Sequence, residues 1–318
     1  MTTIHYDSTL TDDQRRARLY AGDVFVYSPL PESLALVELA RRMLTETFGA
    51  LDPEMAQFSM PVEQFAKVLG ELKPRFIHHP ECKRLLPAIL GRLGCDLGKT
   101  YFDVPRMRSA ASNNYLTTGI AYAFHPHRDT WYSAPFCQIN WWMPVFPITT
   151  DNCMAFHPRY FSQGLRNTSD RYNYQDWNRD SRFNAAQFVD VDPRPQPKSL
   201  EPVETTPDLR ILMPPGGLMT FSAAHLHSTV PNTSGRTRYS IDFRIVNLDD
   251  VQGMRGAENV DSYSTGTTMG DYLRCTDLSH LPASATAAYD DGPPQAVAVA
   301  AARQSGTASA VVAAQAQP

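Results

Sequence analysis

From Thr100 onward the chain consists of short runs of Val, Ile, Tyr, Phe and Trp separated by Pro, Gly and Asn turns. This punctuation constrains the fold more than any other feature. The runs fall at 100–108, 115–124, 136–146, 209–213, 218–222 and 237–247. Several strands this short must bury one face against other strands or helices, which predicts a β-sandwich or jelly roll. The expected class is mainly β with helices (α+β).

The first third reads differently. A short helix capped by Thr11 and Asp12 leads into a strand at 23–27. Leu34, Val37, Leu44 and Phe48 share a helical face that Gly49 ends. Ser59-Met60-Pro61 opens a second helix to about Leu72, and a third covers Glu81 to Leu93 with a break or kink at Pro87. One domain over 1–282 follows, with a helical layer to about 99, a core over about 100–250 and an insert at about 158–206. The aromatics of the insert suit an ordered lid. The Ala-rich segment 283–318 reads as a disordered tail.

The 318 residues carry a net charge of −4, which offers neither nucleic acid nor an anionic membrane a basic surface. No apolar run is long enough to span a bilayer. The five cysteines form no CxxC pair, so neither a disulfide framework nor a cysteine zinc site is indicated. A soluble cytoplasmic protein with reduced thiols is expected, acting on a small molecule; the oligomeric state is not encoded legibly.

The chemistry concentrates at Phe124-His125-Pro126-His127-Arg128-Asp129. An H-x-D pair on extended backbone puts both side chains on one face, and a distant second histidine would complete a 2-His-1-carboxylate triad. Nine histidines and 23 aspartates make about one H-x-D by chance, and His5-Tyr6-Asp7 is a second occurrence, in a polar N-terminal segment. Downstream, Pro215-Gly216-Gly217 feeds a strand towards His225-Leu226-His227, followed by Pro231-Asn232-Thr233-Ser234 and by Arg238 and Ser240. Alternation alone does not choose within the pairs His125/His127 and His225/His227.

These motifs together resemble the phytanoyl-CoA dioxygenase-like branch of the Fe(II)/2-oxoglutarate-dependent oxygenases. In that family a glycine-led strand ends at the distal histidine, Pro-Asn-x-Ser begins four residues later, and the cosubstrate arginine comes eleven residues after the histidine. His227, Pro231 and Arg238 keep these spacings, and Pro147-Ile148-Thr149-Thr150-Asp151-Asn152 is similar to the turn after the family's next strand. Where relatives carry Pro-Gly-Ser-His, this chain has His157-Pro158-Arg159-Tyr160.

The resemblance implies a double-stranded β-helix core, with His127, Asp129 and His227 holding Fe(II). Arg238 and Ser240 would grip the distal carboxylate of 2-oxoglutarate, with Asn114 a further cosubstrate candidate. Reaction with O2 would give succinate, CO2 and an oxidised substrate. Because Asp129 stands where halogenating relatives carry Ala or Gly, hydroxylation, desaturation or ring closure is implied rather than chlorination. Gln138, Asn140 and Trp142 alternate on one strand and, with Arg159 of the insert, suit a small polar substrate such as an amino acid or its derivative in secondary metabolism. The competing readings are a cupin-like metalloenzyme that does not use 2-oxoglutarate and a non-catalytic jelly-roll binding protein.

Overall fold

The computed structural model describes residues 2–289. Its N-terminal part runs β1 (Ile4–Tyr6), α1 (Asp12–Tyr20), β2 (Val24–Tyr27), α2 (Pro31–Phe48), α3 (Val62–Ile77) and α4 (Pro80–Arg92). Next come β3 (Thr100–Phe102), β4 (Arg106–Ala110), β5 (Ile139–Pro144), β6 (Met154–Phe156), α5 (Tyr174–Asp180) and β7 (Leu209–Arg210). The remainder is β8 (Leu218–Ser222), β9 (His227–Thr229), β10 (Arg238–Asn247), α6 (Leu248–Gln252), β11 (Leu273–Arg274) and α7 (Ala283–Thr286). The result is a mixed α+β chain with a sheet-rich core.

One sheet is ordered β1-β2-β8-β5-β10-β3-β11, with β4 also paired to β10, and a smaller one is ordered β7-β6-β9. Side-chain alternation divides the large sheet into two working faces. Trp141, Phe243, Phe25, Tyr27 and Leu218 pack against the helices. On α3, Phe65, Leu69, Leu72 and Phe76 are fully buried and contribute about 1.5–3 kcal/mol each. The neighbouring Trp142 points the other way, with Met219, Phe221, Val24 and Phe156, and that inner face leads to the site.

Local signals explain the helix boundaries. Thr11 and Gln14 form a reciprocal capping box at α1, and Gly49 ends α2 at a φ of 62°. The structure differs from expectation at α4, which runs unbroken through Pro87. Buried Leu85, Leu86, Ile89 and Leu90 on either side hold it against the single lost backbone bond. No strand forms at 115–124. Thr118 Oγ1 instead donates to the Val189 carbonyl (2.9 Å), and Gly119, at φ 55°, passes so close to the insert that a Cβ would collide with the Ala185 and Phe188 carbonyls.

The alanine-rich tail also needs correction at its start. Tyr289 is buried and its hydroxyl donates to the Val251 carbonyl (2.9 Å), so 283–289 packs on the domain; residues 290–318 lie outside those described. No helix among the described residues is long and apolar enough to cross a membrane. All five cysteines are buried and unpaired.

Candidate metal centre

Two reciprocal backbone bonds bring the ligands together. His127 N–H donates to the His227 carbonyl (3.0 Å), and His227 N–H donates back to His127 (2.9 Å). Asp129 N–H donates to the Ala223 carbonyl (3.0 Å) and begins a 3-10 turn, Asp129–Tyr132. Asp129 Oδ1 lies 3.5 Å from His127 Nε2 and 3.8 Å from His227 Nε2. An octahedral ion with bonds of about 2.1 Å needs neighbouring donors about 3 Å apart, so the spacing fits one small metal ion.

This local geometry is not the one expected from strand alternation. The extended stretch is only the His127–His227 bridge, and the 3-10 turn sets the position of Asp129. Likewise His227 opens β9 instead of ending the glycine-led strand, because β8 stops at Ser222 and a turn intervenes.

The H-x-H pairs divide the labour between ring and backbone. His127 Nδ1 donates to the His125 carbonyl (2.8 Å), and His227 Nδ1 donates to the His225 carbonyl (3.0 Å). Each bond places the ring proton on Nδ1 and leaves the Nε2 lone pair facing the carboxylate. His225 has its own ring buried among Phe156, Phe161 and Phe221, whereas the His125 ring is exposed.

The protonation states suit a metal. Burial pushes the Asp129 carboxyl up, but its interactions with His127 and His227 in the acid range where it titrates, and the Asn140 amide, outweigh it and bring the carboxyl down to about 2. Burial, reinforced by His127, lowers His227 to about 4. At neutral pH the site therefore offers an ionised carboxylate and an unprotonated His227.

Gln138 and Asn140, expected to meet substrate, hold this carboxylate instead. Asp129 Oδ2 accepts from Asn140 Nδ2 (2.9 Å) and Gln138 Nε2 (3.3 Å), and Gln138 Oε1 accepts from Tyr272 (2.7 Å). Fixing Oδ2 leaves Oδ1 free for a metal. Arg128, between the ligands, gave no signal in the sequence, yet it is fully buried. It bonds Asp261 Oδ2 (3.1 Å), the Gln163 carbonyl (2.9 Å) and the carbonyls of Ala224 and Tyr160, tying the H-x-D loop to both the His225 turn and the insert.

Further along the inner face of β10 lie Arg238 and Ser240. Arg238 Nη1 donates to the carbonyls of Asn152 (3.1 Å) and Cys153 (3.3 Å), and its Cζ lies 5.8 Å from the Trp142 ring centroid. Its Nε and the Ser240 hydroxyl are buried without a hydrogen-bond partner. No carboxylate among the described residues forms a salt bridge with Arg238, and burial lowers its guanidinium to about 10. Asn152 donates to Ser234 Oγ (3.2 Å), while Asn232 donates to the carbonyls of Ala110 and Arg236; the Pro-Asn-x-Ser segment thus fixes the turn that delivers Arg238.

Two further candidates are exposed. Asn114 is an exposed turn residue at φ 56°, a conformation asparagine tolerates readily. Arg159 is half-exposed at the surface, paired with Glu204. Trp142 is a wall of the inner core, its ring centroid 5.8 Å from the Arg238 guanidinium carbon. The second H-x-D is part of the fold: His5 lies in β1 and bonds Asp23 (2.8 Å), and among the described residues it belongs to no group of three metal-ligating side chains.

No family model matches the sequence, and no curated protein matches it. Solved structures do. A non-heme monooxygenase, ThoJ, is 14 % identical, with 73 % of this chain and 77 % of that chain covered at a TM-score of 0.39. SnoN, a non-heme alpha ketoglutarate dependent epimerase from nogalamycin biosynthesis, is 14 % identical over 74 % and 84 % at 0.36. EvdO2 from Micromonospora carbonacea var. aurantiaca, complexed with 2-oxoglutarate, is 13 % identical over 75 % and 91 % at 0.42. Those are among the proteins this chain is similar to; within the chain itself, His127, Asp129 and His227 form a two-histidine, one-carboxylate set that fits a divalent transition metal.

Proposed function

We propose that the chain is an Fe(II)/2-oxoglutarate-dependent oxygenase of the phytanoyl-CoA dioxygenase-like kind, built on a double-stranded β-helix. Its small-molecule substrate is held beneath the insert, which acts as a lid. The observation that carries this reading is the pairing of a metal-ready triad with a buried cation that lacks a protein anion. A guanidinium and a hydroxyl left unpaired in the interior are costly, and a ligand carboxylate satisfies both at once, with the forked geometry arginine favours. A metalloenzyme without 2-oxoglutarate, or a simple binding protein, has no use for that arrangement. Bound iron and 2-oxoglutarate supply the activation of O2. The chain's own residues orient the ligands, through the His125 and His225 carbonyls and the Gln138 and Asn140 amides, and fix the distal carboxylate at Arg238 and Ser240.

Gln138 and Asn140 are engaged with Asp129, and Arg159 pairs with Glu204 at the surface, so none of these three carries the proposal of an amino-acid-derived substrate. The test of the reaction class is an anaerobic titration of apo-protein with Fe(II) and then 2-oxoglutarate, followed by the visible charge-transfer band of the chelate. Arg238→Ala should keep iron but need about 30-fold or more 2-oxoglutarate, since it removes one partner of a buried charge pair; Arg238→Lys should recover part. An unchanged requirement in Arg238→Ala refutes the assignment.

A further inference from the structure

A cavity of about 300 Å³ lies between the H-x-D loop and the insert, lined by Tyr122, His125, Tyr132, Arg194, Gln196 and Lys198. It is one side chain from the metal centre. Tyr132 meets the His127 ring edge-on at 5.6 Å between centroids. Tyr122 meets Phe124 edge-on at 4.9 Å, and Phe124 stacks on His127 at 4.8 Å. The docked insert completes the walls: Tyr132 donates to the Pro197 carbonyl (3.4 Å) and Arg194 to that of Gly119 (3.4 Å).

The lining has a definite chemistry. Its volume is at the lower end of small-molecule sites, about 300–1,000 Å³, which suits a metabolite and excludes a long acyl chain. Two tyrosine rings offer apolar faces and edges to a ring. Burial pushes both hydroxyls up, so they stay neutral donors. Arg194 is consumed by Asp192, which also borders the cavity, through Nε–Oδ1 (2.8 Å) and Nη2–Oδ2 (2.5 Å). Lys198 is exposed and forms no ion pair among the described residues, so the lining keeps a surplus of one positive charge.

We propose that this cavity is the substrate site and that it takes a planar, ring-bearing small molecule with a single carboxylate, its ring against Tyr122 and Tyr132 and its carboxylate towards Lys198. The inference rests on the oxygenase reading for what becomes of the bound molecule, while binding itself needs no metal.

The test is saturation-transfer NMR on the full chain with phenylacetate, indole-3-acetate, neutral phenylacetamide and methyl glucoside, with substrate-free succinate formation from 2-oxoglutarate and Fe(II) measured on the same preparations. An aryl carboxylate should bind about twofold to fivefold more tightly than the amide, the scale of one solvent-exposed charge contact. Lys198→Glu should abolish that preference without weakening the amide, and Tyr122→Ala should weaken both. Absence of binding by both aryl carboxylates, a preference unchanged in Lys198→Glu, or tighter binding of methyl glucoside overturns the proposal. Expected binding without any succinate formation overturns the oxygenase reading and leaves the site standing; succinate formation with Lys198-independent binding does the reverse.

Discussion

Asp261→Asn probes the hub that holds the metal-binding loop. Asp261 is almost fully buried and accepts from Arg128 Nε, from Trp131 Nε1 (2.7 Å) and from the Leu165 backbone N–H (2.9 Å). Asparagine has nearly the same shape but no charge, and its amide nitrogen would face one of these donors. Arg128 would then be buried among carbonyl oxygens with no counter-ion. Removing one partner of a buried pair costs about 3–5 kcal/mol. For a chain of this size that corresponds to a fall in Tm of roughly 5–8 °C, read by calorimetry on metal-free protein. Because Arg128 sits between His127 and Asp129, iron affinity should drop as well, by about 10- to 100-fold. Arg128→Met combined with Asp261→Leu should lose less stability than Asp261→Asn alone, since no lone charge remains. An Asp261→Asn protein within about 1 kcal/mol of wild type would refute the reasoning, because it would mean that Arg128 is solvated or neutralised elsewhere.

Asp129→Ala and His227→Ala should each abolish Fe(II) binding in an anaerobic titration, while His5→Ala retains it; binding by Asp129→Ala would place the metal elsewhere. Asn140→Ala should weaken iron by about 10- to 100-fold in a chelator competition by freeing Asp129 Oδ2, and unchanged affinity would show that the amide does not position the carboxylate. Burial, with the charges of His227 and Arg128, lowers the His225 ring to about 3 from an ordinary 6.5. The unfolded chain therefore takes up that proton first, so stability is complete above about pH 6.5 and falls, by on the order of a few kcal/mol, as the pH drops towards 3. His225→Leu keeps the backbone carbonyl that orients His227 and should flatten that acid limb in denaturant titrations; an equally steep limb would refute the assignment.

Local chemistry and spacing made a good part of this protein legible in its sequence. Capping residues and apolar periodicity place the ends of α1 and α2 because helix boundaries are set within a few residues of chain. The separation of His227 from Pro231 and Arg238 is equally local: one turn, fixed by Asn232, joins the two strands that carry them. What tertiary structure decided are the contacts between distant segments. Composition made 115–124 look like a strand, yet the segment forms none and its Tyr122 lines a pocket, because the insert occupies the place of a pairing partner. The alternation of Gln138, Asn140 and Trp142 correctly put them on the inner face, but only the approach of Asp129 turned two amides into carboxylate supports. Arg128 and Asp261 are each unremarkable in their own segments, and their bond exists because the chain folds residues far apart in sequence into one dry layer, where a charge is tolerated only beside its opposite.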